Sequence, residues 1–197
     1  MSEKGRCIVK DGTKNMAVTA VMTAVICMLA PLSIPIGPVP VSLATLAILF
    51  TVYILGMKRA VAAVMLYLLI GLAGVPVFSG FSAGPAKLLG PTGGYLIGYI
   101  PMAAIAGLVT DRFYKNRIIS ILGMAAATAV LYAVGTVWLA CSAGMSLEAA
   151  LAAGVIPFIP LDLVKTVAAA LIGPLLKTRL ETAGLTSLSL SDNRRNS

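Results

Sequence analysis

Residues 118–141 read IISILGMAAATAVLYAVGTVWLAC, with no charged side chain anywhere in the run. A helix needs about 20 consecutive, mostly apolar residues to cross a hydrocarbon core, and this stretch has that length. Its polar groups are hydroxyls and one indole, which a helix can satisfy locally. Upstream, comparable runs lie at 16–32, 39–57, 60–77 and 93–109; downstream, one lies at 155–176. The pattern predicts an all-α integral membrane protein. Residues 1–197 form one membrane domain, a bundle of six transmembrane helices with a long glycine-rich loop between the third and fourth.

Composition agrees. Hydrophobic residues make up 59% and charged residues 11%, and mean hydropathy is +0.98, whereas soluble domains carry about 25% charged residues. A basic stretch before the first run resembles the start of a signal peptide. The run is too long for one, however, and leads into Pro31, Pro35, Pro38 and Pro40 rather than a small-residue cleavage site.

The net charge of +8 does not point to nucleic acid, because the basic residues sit at the ends of the apolar runs. Lys4, Arg6, Lys10 and Lys14 precede the first. Lys58 and Arg59 follow the second, Arg112, Lys115 and Arg117 follow the fourth, and Lys177, Arg179, Arg194 and Arg195 follow the sixth. Of the 15 basic residues only Lys87 and Lys165 remain. Cytoplasmic connections are enriched in Lys and Arg, so both tails, 1–15 and 177–197, are expected in the cytoplasm, with 1–15 and 192–197 polar and mobile.

Within the predicted spans the ionisable side chains are Asp162 and Lys165. Each costs roughly 2.5–3.5 kcal/mol at a helix centre, so neither should face lipid unpaired. Three residues apart, they share a helix face about 4.5 Å along the axis. They can tie helices together as an ion pair, or grip one polar ligand. Depth favours the ligand: counted from 155, Asp162 lies roughly 10 Å below the outer boundary. Pro157 and Pro160 above it free backbone carbonyls, either lining a cavity or merely kinking the helix.

The third connection, PVFSGFSAGPAKLLGPTGGY, mixes glycines with aromatic and aliphatic residues. Such a loop can close over a ligand or pack on the helix ends. Its glycines are not followed by the Gly-Lys-Ser/Thr that a phosphate-binding loop requires, so the chain carries no recognisable ATPase site. Ala20 and Ala24, four apart in the first span, make a flat face for a neighbouring helix. Gly71, Gly74, Gly94 and Gly98 are read as packing positions. Histidine is absent and Cys7, Cys27 and Cys141 lack pair spacing, so no metal site or disulfide is expected. With one intramembrane carboxylate, the acid–base pair of an enzyme is missing as well.

Taken in this order, the motifs GLAGVPVFSGF and LLGPTGGYLIGY, the Asp162-x-x-Lys165 pair and the Ala20/Ala24 face resemble the BioY family, the biotin-specific substrate-capture (S) components of energy-coupling-factor (ECF) transporters. The resemblance covers about residues 16–176. It implies a cell-membrane protein that binds biotin near the outer face and relies on a transmembrane coupling protein and two ATPase subunits for uptake. No cofactor is implied, biotin being the transported ligand. Asp162 and Lys165 would be polar ligands of biotin. Phe78, Gly80, Phe81, Ser82, Gly84, Lys87, Gly90, Thr92, Gly93, Gly94 and Tyr95 would supply the closing loop, and Ala20 and Ala24 the coupling face. A ureido ring offers two N–H donors to a carboxylate, and the valerate anion suits an ammonium, from Lys165 or Lys87. Two other readings stay open: a self-sufficient proton-coupled vitamin carrier with Asp162 as the proton site, and an S component for a different vitamin.

Overall fold

The computed structural model describes residues 3–36, 39–113 and 116–182. Helix α1 (Glu3–Leu29) leads into a hairpin of β1 (Ser33–Ile36) and β2 (Val39–Ser42). Then come α2 (Ala44–Leu72), a short α3 (Pro85–Leu89), α4 (Gly93–Phe113), α5 (Arg117–Ala143), a short α6 (Leu147–Gly154) and α7 (Ile159–Thr182). Among the described residues five helices are long and apolar enough to cross a membrane: α2, α4, α5 and most of α1 and α7.

The helix α2 is interrupted. At Gly56 the backbone takes φ 71° and ψ 175°, a region essentially closed to residues with a Cβ. A Cβ there would also lie 2.8 Å from Asp111 Oδ1. Beyond the break, Asp111 Oδ2 accepts the Met57 N–H at 2.9 Å, so the carboxylate of α4 caps the second limb of α2. The two limbs, 44–55 and 57–72, return to the same end of the bundle. Thr45 meets Asp162 at one limb's start, and at the other's finish Gly71 accepts the Gly84 N–H at 2.8 Å from the connection that also bonds Pro31.

Several boundaries differ from those the sequence predicts. The segment read as a polar tail before residue 16 continues α1, since no proline precedes Pro31 to stop a helix. At the other end α7 runs past 176, carrying Lys177 and Arg179. Lys115, Arg194, Arg195 and all of 183–197 lie outside the described residues. The predicted start of the second span, 39–42, is strand: Pro35 and Pro40 face each other in the hairpin, at a pair where neither has an amide proton to give. The fold is all-helical apart from this one short hairpin. The last span starts at Ile159 rather than 155, with Pro160 in its first turn, where a missing N–H costs nothing. Ahead of it, Ser146 Oγ accepts the Ala149 N–H at 3.3 Å and starts α6, which the sequence reading did not anticipate.

Small residues on α4 let its neighbours approach. A Cβ on Gly94 would clash with Trp138 of α5, and one on Gly107 would lie 2.5 Å from the Met57 Cα of α2. By contrast α1 shows much of its length outward: Met16, Val21 and Met28 are exposed, as are Ala20 and Ala24.

Candidate ligand-binding site

Because α7 begins at Ile159, Asp162 falls in its first turn, where the helix dipole favours a carboxylate. The acid thus sits closer to the helix end than a span from 155 would place it. Lys165 follows one turn later and pairs with it, Nζ to Oδ1 at 2.7 Å. The same ammonium donates to the Ser42 carbonyl at 2.8 Å and to Thr45 Oγ1 at 3.2 Å. Thr45 donates in turn to Asp162 Oδ1 at 3.2 Å, and the Tyr132 hydroxyl of α5 donates to Oδ2 at 2.6 Å. All three ammonium protons are placed, and three of the carboxylate's roughly four acceptor positions are filled. A network so complete is what a buried acid and base require, since an unpaired member would cost several kcal/mol.

The pair does not face solid protein. Ser42, Thr45, Asp162 and Lys165 line one side of a cavity of about 40 Å³, room for about three waters. Tyr95, Leu96, Tyr99 and Leu131 provide an apolar wall, and Val39, Pro40, Ser79 and Thr92 lie along the remainder. The charges neutralise each other, as the first of the two readings has it, and they also border a cavity, the space that the second reading requires. A second, more open crevice of about 260 Å³ runs between α5 and α7 past Ala125, Ala129, Ile159 and Leu163. Tyr132 and Asp162 border both spaces.

Of the glycine-rich connection, Ser79, Thr92 and Tyr95 reach the cavity. Several of the others hold the connection in place. Phe78 is fully buried, edge-on to Tyr67 with ring centroids 5.6 Å apart, and pressed on Gly71. Its N–H bonds the Ser82 carbonyl at 3.0 Å, and the Gly80 N–H bonds the Pro31 carbonyl at 3.1 Å, tying the connection to the hairpin. The Gly90 carbonyl accepts Trp138 Nε1–H at 3.0 Å. Gly93 and Gly94 are the close-packed start of α4, and Gly84 precedes α3. Lys87 lies in the last turn of α3, half-buried, away from the cavity, and Phe81 is exposed.

Ser42, Thr45, Tyr99 and Tyr132 were absent from the sequence reading of the site. Tyr99 and Tyr132 left a usable signal: a phenol inside an otherwise apolar span needs a partner. Ser42 left none, because its contribution is a backbone carbonyl.

The chain matches the model of the family described as BioY over residues 1–182. Among curated proteins it is 37% identical, over 83% of its length and 96% of the relative's, to the biotin transporter BioY of Thermotoga maritima. It is 36% identical, over 81% and 93%, to a probable biotin transporter BioY of Pyrococcus horikoshii. Among solved structures it resembles the S-component for biotin from an ECF-type ABC transporter, with a TM-score of 0.79 at 28% identity over 90% of this chain and 95% of that one.

Proposed function

The chain belongs to the BioY family, a multi-pass membrane protein family, and from that premise we propose that it serves biotin uptake as the S component of an ECF transporter, with Asp162 and Lys165 as the polar end of the vitamin site. The observation that carries the assignment of residues is the hydrogen-bonded acid and base bordering a partly open cavity near one end of the bundle. A carboxylate suits the two ureido N–H groups and an ammonium suits the valerate. Tyr95, Tyr99 and Leu131 offer the apolar surface that the bicyclic ring would rest on. Between the two lysines considered for the valerate, the distance of Lys87 from the cavity favours Lys165.

A cavity with room for a few waters must widen to admit a bicyclic ring. The hairpin and the glycine-rich connection, joined at Gly80 and Pro31, form its cover, and we take them to be the parts that move. We count the two limbs of α2 as separate spans, giving six, with both termini and the Gly56 turn on the cytoplasmic side of the cell membrane, where Lys58, Arg59 and Arg112 accord with the enrichment of basic residues. The exposed Ala20 and Ala24 suit close contact with a coupling protein, and uptake would draw its energy from partner ATPases.

Calorimetry of the detergent-solubilised chain against biotin tests the site. Asp162→Asn and Lys165→Ala should each weaken binding more than tenfold, since each strands a buried partner, and unchanged titrations would remove the assignment. Liposomes holding the protein alone should accumulate no biotin under a pH gradient; accumulation would favour the self-sufficient carrier instead.

A further inference from the structure

A cyclic urea presents one carbonyl acceptor between its two N–H donors, and that carbonyl needs a proton from the site. The donors bonded within the Asp162 network are the three ammonium protons of Lys165, the Thr45 hydroxyl and the Tyr132 hydroxyl. Of these, the Tyr132 proton is the one bonded to the carboxylate oxygen that takes no part in the ion pair, so a ligand can displace it and leave the pair intact. It rests on Asp162 Oδ2, the oxygen that Lys165 and Thr45 leave alone. When a ligand N–H takes that place, the phenol is freed beside the adjoining carbonyl.

Building on the biotin reading, we propose that Tyr132 is a specificity-determining residue. In the empty site its hydroxyl stands on Asp162 Oδ2 where a ligand N–H will bind, and on binding it turns to donate to the ureido oxygen. One hydrogen bond is exchanged for two. The pair Asp162–Tyr132 then reads the sequence N–H, C=O as a unit, discriminating against ligands that carry donors without a neighbouring acceptor. The ring also borders the crevice between α5 and α7, so substitution by Phe removes the hydroxyl and keeps the wall.

The test is calorimetry of full-length wild type and Tyr132→Phe with biotin and with its 2-thiocarbonyl analogue, in which a weakly accepting sulfur replaces the ureido oxygen. Tyr132→Phe should weaken biotin about fivefold to tenfold and change the affinity of the sulfur analogue less than twofold. Equal losses for both ligands would mean that the phenol only supports the wall. Tighter or unchanged biotin binding would mean that its hydroxyl merely blocks the seat or takes no part. Any of these results overturns the assignment. A wild type that binds neither ligand overturns the biotin reading itself and this inference with it.

Discussion

Two carboxylates sit at opposite ends of this bundle, each beside a break between helices, and they are satisfied differently. Asp111 holds a backbone amide, the Met57 N–H, and lies against Gly56, where α2 turns. Its partner cannot leave without unwinding a helix. Asp162 is held by three side chains, Lys165, Thr45 and Tyr132, each of which can rotate away. An acid bonded to backbone fixes a fold, whereas an acid bonded to side chains can exchange its partners for a ligand. The first arrangement therefore reads as architecture and the second as a site.

The sharpest way to break the contrast is at the second acid. Lys165→Ala leaves Asp162 buried without its charge partner and should destabilise the protein by about 3–5 kcal/mol. Adding Asp162→Ala should recover part of that loss in thermal melts while leaving biotin binding abolished. A double variant no more stable than the single would mean that the pair is not coupled. Next in size is Gly56→Ala, which forces a Cβ into a backbone region reserved for glycine and against Asp111. It should cost about 1–3 kcal/mol, seen as a lower melting temperature, with biotin affinity changed less than twofold in the folded fraction. A large affinity change would show that the two ends communicate. The smallest expected effect is Asp111→Ala, which removes a helix cap worth about 1 kcal/mol. It should lower the melting temperature slightly and leave binding alone.

Much of this was legible beforehand, for a specific reason. Lipid admits only backbone that is satisfied within its own segment, so the long apolar runs could be little else but helices, and an acid and base inside one had to find partners. The site's two charged members were visible for that reason, while Thr92 and Tyr95, which border the cavity, entered through the glycine-rich connection. The hairpin was not, because Val39 and Val41 read as apolar whether they begin a helix or lie in a strand, and only the facing prolines exclude the helix. The glycines at 93 and 94 looked as suited to a ligand as to packing; in the structure the Leu88 carbonyl lies against Gly93 and Trp138 against Gly94, so both are close-packed.

From the sequence alone came the membrane class, the order of the apolar spans along the chain and the charged pair at positions 162 and 165, since each follows from transfer energies that act residue by residue. Only the tertiary structure decided that a threonine from the start of α2 and a tyrosine from the middle of α5 complete the acid's hydrogen bonds, and that Phe78 anchors the connection instead of lining the cavity. Those contacts join residues more than 100 positions apart in one case and 30 in another, and no local pattern encodes a partner that distance along the chain does not constrain.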